Sequence, residues 1–138
     1  MNLLTSDRPC FETDRFIVLL LSPSDSRRLM ESLLQDKLLA ACIPWLSDKT
    51  REGVLHEAFG IGLQAAAGLV KVWSIISRER QIQIGAMLVR KSREGLDIEA
   101  LVASRYWDHD VVDEASEPLM DWLEENGGIV ESIPRVLH

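Results

Sequence analysis

Three strand-like runs lie one after another between Val70 and Val102, and the rest of the chain has to fold around them. Residues 70–77 (VKVWSIIS) and 82–90 (IQIGAMLVR) are rich in β-branched residues, and Arg78-Glu79-Arg80-Gln81 between them reads as a hairpin turn. Residues 96–102 (LDIEALV) form the third run, in which Asp97 and Glu99 alternate with apolar neighbours. A hairpin makes the first two strands antiparallel neighbours at the centre of a sheet.

The flanking segments supply helices. Residues 15–21 (RFIVLLL) make a short apolar strand, and Ser22-Pro23-Ser24-Asp25 then offers a cap, a first-turn proline and a capping-box-like spacing. Leu29, Met30, Leu33 and Leu34 follow at helical spacing, so an amphipathic helix is expected from 23 to about 35. Residues 36–43 fit either state, and Pro44 ends them. A second helical stretch begins at Ser47-Asp48, with Val54, Leu55, Ala58 and Phe59 on its expected buried side. Gly60, Gly62 and Gly68 predict fraying before Leu69. After the third central strand, 114–125 should be a helix burying Ala115, Leu119, Met120, Trp122 and Leu123, stopped by Asn126-Gly127-Gly128. Residues 129–137 close as an edge strand, on which Pro134 is tolerated. The expected class is a layered α/β (α+β) domain with a mixed, mostly antiparallel sheet flanked by helices, in the order β-α-α-β-β-β-α-β. A single domain spans 1–138, with 1–14 as a flexible N-terminal segment.

Charge narrows the partners. Between 97 and 131 there are eleven acidic residues and one base, Arg105, giving −10 and leaving +3 for the rest of a chain of net charge −7. Such a surface repels nucleic acid and attracts basic proteins. The longest apolar runs are too short to span a bilayer, and the first residues lack a signal-peptide pattern. Cys10 and Cys42 fit no metal or redox spacing, so they read as reduced thiols of a cytoplasmic protein.

The order and wording of these pieces resemble the GNAT acetyltransferase superfamily, above all its RimJ/RimL-like branch. The resemblance runs from about Arg15 to Ile133. It rests on Arg15-Phe16-Ile17-Val18-Leu19, Ser24-Asp25-Ser26, Pro44-Trp45, Trp73-Ser74-Ile75, Ile84-Gly85 and the spacing from Asp97 to Ala115. It implies a coenzyme A pyrophosphate loop of the form Trp-Gly-x-Gly-x-Ala at the start of the last helix. Here that loop reads Trp107-Asp108-His109-Asp110-Val111-Val112. Asp110 stands in place of the first key glycine and Val112 in place of the second small residue, while Glu99 and Ala100 replace a glycine and a tyrosine on the preceding strand. In the resembled motif, backbone N–H groups at a helix N-terminus hold the pyrophosphate. A carboxylate ~5 Å from a phosphate at an effective dielectric of ~20 costs ~3 kcal/mol before screening. Two such contacts remove most of the ~8 kcal/mol of a micromolar ligand. The family also continues beyond the point matching His138 into a further helix and strand, where a tyrosine often serves as general acid; Tyr106, the one tyrosine here, precedes the loop.

The resemblance and its departures lead to a GNAT-like protein that has lost acetyltransferase activity and expects no cofactor. It would bind a basic protein or peptide, in an immunity-, antitoxin- or adaptor-like role, through Trp107, Asp108, Asp110, Asp113, Glu114, Glu117 and Asp121. The edge strand also leaves a homodimer open. The alternative is an active acetyl-coenzyme A-dependent N-acetyltransferase, with Glu99 as general base and the backbone of Val111, Val112 and Asp113 as phosphate donors. Against that role, Glu99 reads as a strand carboxylate facing solvent or a partner. A divalent-metal cluster at Asp108, His109, Asp110 and Asp113 is set aside, because its spacing matches no ligand motif and a solvated acidic loop capping the next helix explains it.

Overall fold

A computed structural model describes residues 9–128, 130 and 135–137. The elements in chain order are β1 (Cys10–Glu12), β2 (Phe16–Leu20), α1 (Pro23–Leu33), α2 (Lys37–Ala41), α3 (Arg51–Ala66), β3 (Val70–Ser77), β4 (Ile82–Ser92), β5 (Gly95–Val102), α4 (Val111–Glu125) and β6 (Arg135–Leu137). They build one sheet ordered β1-β2-β3-β4-β5-β6, antiparallel throughout except for the parallel pair β5–β6. The mixed, mostly antiparallel sheet and its flanking helices are those expected from sequence.

Period-2 alternation divides the strands between two cores. On one face Leu19, Val72, Leu88 and Leu101 pack against Leu29, Met30, Leu39, Val54 and Ala58 of α1–α3. On the other, Val18, Trp73, Ile75, Met87, Ile98, Ala100 and Val102 pack against Val111, Ala115, Leu119 and Leu123 of α4. A bulge where β3 meets β4 (Ile75 opposite Gly85, Ile76 opposite Gln83) shifts the alternation, so that Ile84 and Met87 share the α4 side.

Several local readings change. Cys10–Glu12 is a strand paired with β2, within the segment read from sequence as flexible; residues 1–8 lie outside the described residues. Residues 36–43 resolve into α2, with the Asp36 carboxylate accepting the Leu39 N–H. Helix α3 continues unbroken through Gly60 and Gly62 to Ala66. Gly62 is where α1 comes close: a Cβ there would stand 3.1 Å from Arg27 Cβ. The buried side of α3 is Val54, Ala58 and Ile61, and Leu55 and Phe59, expected inside, are exposed. Helix α4 starts at Val111 rather than Glu114, because Val111 and Val112 are drawn into the core beneath it. The strand read over 129–137 is described as Arg135–Leu137, with Val130 bridged to Leu96; Pro134 lies outside the described residues.

Candidate functional site: the loop entering α4

The segment from β5 to α4 is a 3-10 helix, Ser104–His109, pinned at both ends. The Trp107 indole N–H donates to the Val102 carbonyl at 2.8 Å. The Ser104 N–H donates to Asp36 Oδ2 at 2.7 Å, tying the loop to the cap of α2. Burial pushes the Asp36 carboxyl up, but the hydrogen bonds from Ser104 and Leu39 outweigh it and hold the group below the usual carboxylate value.

Asp110 follows in the left-handed region, φ 52° and ψ 36°, and its side chain makes no cap hydrogen bond. The first N–H groups of a helix have no intrahelical acceptor, so those of Val111, Val112 and Asp113 are presented at this end. Between the loop and β6 lies a cleft of about 160 Å³, walled by Val102, Tyr106, Trp107, Val136 and the run Asp110–Asp113. It is where the resembled loop would hold a pyrophosphate. Asp110 and Asp113 put two exposed acidic residues on its wall, where a phosphate would be repelled, while Val112 is largely buried in the core beneath α4. The volume also falls below the ~300 Å³ at which small-molecule sites begin.

Glu99 corrects the sequence reading most sharply. It is 3 % exposed, faces α1–α3 rather than solvent, and does not line that cleft. Its Oε1 accepts the Trp45 indole N–H at 2.8 Å, with Arg90 Nη1 at 3.6 Å. Trp45 is thus held under the sheet edge by a buried carboxylate, a pairing across 54 residues with no local signal.

The residues expected to face a partner divide into two groups. Asp108, Asp110, Asp113, Glu117 and Asp121 are exposed. Trp107 and Glu114 are half-buried and committed internally. Glu114 Oε1 accepts from Arg15 Nε at 2.7 Å, and Oε2 accepts from the Arg15 N–H at 3.0 Å and from the Thr13 hydroxyl. Burial raises its carboxyl, and these donors more than reverse the shift, leaving it lowered. They also draw the β1–β2 turn against α4, so that Glu12 and Asp14 join Glu114, Glu117 and Asp121 around an open groove of about 390 Å³. Glu12 and Asp14 were not identifiable from sequence as members of this surface, since only tertiary pairing places them there. No three His, Cys, Asp or Glu side chains among the described residues converge to hold a metal ion. No helix among them is long and apolar enough to cross a membrane.

Sheet order, helix placement and the loop at the start of α4 together define the GNAT acetyltransferase fold. Among the solved structures it superposes on are acetyltransferases of that superfamily, including ribosomal-protein N-acetyltransferases of the RimJ/RimL kind. A ribosomal-protein alanine acetyltransferase from Vibrio fischeri aligns at a TM-score of 0.63 and 17% identity, over 86% of this chain and 69% of the other. RimL, a ribosomal-protein α-N-acetyltransferase, aligns at 0.65 and 11%, over 88% and 68%. A GNAT-family acetyltransferase from Bordetella pertussis aligns at 0.60 and 16%, over 89% and 77%. At these identities the likeness is one of fold. No protein-family model and no curated protein matches the chain.

Proposed function

We propose that this GNAT-fold protein no longer performs acetyl-coenzyme A chemistry and works by binding a basic protein or peptide on the acidic face of α4. The observation that carries the proposal is the pair Asp110 and Asp113, whose carboxylates line the cleft at the α4 N-terminus. Around the corner the exposed Glu117 and Asp121 continue the same sign into the groove shared with Glu12 and Asp14. Complementary charge of this kind steers association and selects the partner's sign. An immunity-, antitoxin- or adaptor-like role in the cytoplasm suits such a surface.

Titration with acetyl-coenzyme A is the test. No binding at millimolar ligand is expected, whereas micromolar binding would overturn the proposal. Reversing Asp110, Asp113 and Glu117 together to lysine should then abolish capture of a cationic partner, and unchanged capture would sink the docking surface.

One observation favours a second reading, an active N-acetyltransferase. The left-handed Asp110 keeps the loop turned so that the Val111–Asp113 N–H groups face outward without a side-chain cap. Glu99 would then be the base. That reading requires acetyl-coenzyme A turnover that falls when Glu99 becomes Gln.

A further inference from the structure

The layer opposite α4 carries a second surface, apolar along one helix and cationic in the groove at its end. Helix α3 is apolar on more than its core side. Val54, Ala58 and Ile61 are buried, yet Leu55, Phe59 and Leu63 are 37%, 46% and 57% exposed. These three follow one another at i, i+4 and i+8, and Arg51 extends the row by one turn at its start. From Arg51 to Leu63 the row is about 18 Å long at 1.5 Å per residue. A helix apolar on both faces is normally covered on both.

Gly60 sits beside this row in mid-helix, where glycine weakens a helix relative to alanine. Nothing in the fold calls for it: a Cβ there would meet no atom within 4 Å. The missing side chain leaves a notch next to Phe59 that a partner can fill.

At its Arg51 end the row runs into a groove of about 600 Å³. Lys37, Lys49 and Arg51 surround an apolar floor of Leu34, Ala40 and Val54. The Lys49 ammonium donates to the Leu46 carbonyl at 2.6 Å. No carboxylate pairs with Lys37, Lys49 or Arg51 among the described residues. In a chain of net charge −7, three cations gathered around an apolar groove without a counter-ion select an anionic occupant. Arg27 adds a fourth cation beside the row, stacked 5.1 Å from the Phe59 ring centroid, though it also pairs with Glu31.

We infer that the outer face of α3 and the adjoining Lys37–Lys49–Arg51 groove dock an acidic amphipathic helix of a partner protein. Its apolar anchors at i, i+4 and i+8 lie along Leu55, Phe59 and Leu63, and its acidic end lies in the groove. This is the helix-in-groove mode of recognition, with a sign the α4 face cannot accept. The inference is independent of the reading of the α4 surface. If both hold, the protein bridges a basic and an acidic partner on opposite faces of one sheet.

The test is a displayed library of 16-residue helices with leucine fixed at i, i+4 and i+8 and the charged positions randomised between Glu and Lys, selected against the whole chain. Glu-rich clones should be enriched. Their binding should weaken at least tenfold in Phe59→Ser and, separately, in Arg51→Glu, and it should fall with added salt. Both positions are exposed, and unchanged melting of each variant would establish that the fold is intact. Lys37→Glu serves as the second charge variant should Arg51→Glu disturb the start of α3. Absence of enrichment, equal recovery of Lys-rich clones, or binding indifferent to all three variants would overturn the inference. So would either of two alternative occupants: a dimer in sedimentation that Phe59→Ser dissolves, or Phe59-dependent binding to anionic lipid vesicles.

Discussion

Asp36 and Ser104 clamp together two loops 68 residues apart, with a carboxylate that caps α2 through Leu39 also accepting the N–H that opens the 3-10 helix before α4. One side chain therefore sets the end of the helical layer and the entry to the candidate site. Asp36→Ala should destabilise the protein by about 1–2 kcal/mol, the sum of a lost cap and an unpaired backbone donor. The folded carboxyl is held below its ordinary value of 3.8, so its contribution is complete above that pH and is lost as pH falls through the lower folded value. Urea melts should separate wild type from Asp36→Ala at pH 7 and bring the two closer as pH falls below 3.8. A gap that persists in acid would assign the effect to packing.

Glu114 and Glu117 lie on the same acidic helix face but should behave oppositely. Glu114 is tied to Thr13 and Arg15, and Glu114→Ala should cost about 1 kcal/mol in stability while leaving capture of a basic partner largely intact. Glu117 and Asp121 are exposed, so Glu117→Lys with Asp121→Lys should leave the melting temperature within a degree or two and weaken capture at least tenfold. Paired denaturation and binding measurements check both, and the reverse pattern would place Glu114 at the interface.

What the sequence disclosed follows from what is local. The β-branched runs of β3 and β4, the cap at Ser22 and the Tyr106–Ala115 spacing carry their own signals, so the sheet, α1 and the loop frame were all legible. Errors arose where tertiary packing overrode propensity. Gly60 and Gly62 read as weakening the later part of α3 before Leu69; α1 packs over the second, and the helix runs on to Ala66, short of Leu69. Val111 and Val112 read as loop ahead of a helix from Glu114, whereas burial against β5 makes them the first turn of α4. Cys10–Glu12 is too short to announce a strand and exists because β2 offers an edge. Glu99 was placed facing out because an isolated strand carboxylate usually is, and the Trp45 that buries it stands 54 residues earlier.

That indole donates at 2.8 Å to a nearly buried carboxylate, and its removal should be felt. Trp45→Phe keeps the apolar ring but removes one charge-assisted hydrogen bond to Glu99, for an expected loss of about 1–3 kcal/mol. Trp45→Phe combined with Glu99→Leu should recover much of that loss, because no buried charge then goes unmet. Chemical denaturation of the two singles and the double gives the coupling directly, and purely additive losses would show that the indole and carboxylate act separately.

Asp110 offers a direct test of the loop's backbone and charge. Its φ of 52° is one that glycine adopts without a Cβ penalty and aspartate with a modest one. Asp110→Gly should thus stabilise the native state by about 0.5 kcal/mol or leave it unchanged, where a residue contacting structure would lose stability. The triple change Asp110→Gly, Val112→Ala and Asp113→Asn also removes the β-branch and both carboxylates from the cleft. Two repulsive contacts of ~3 kcal/mol each, reduced by solvent screening, would account for a gain of at least 100-fold in affinity for acetyl-coenzyme A. Titration of wild type and triple variant should therefore go from no binding at millimolar ligand to measurable binding. If the triple variant folds and still fails to bind, the closed β5–β6 wall at Val136, rather than the charge of the loop, is what excludes the cofactor.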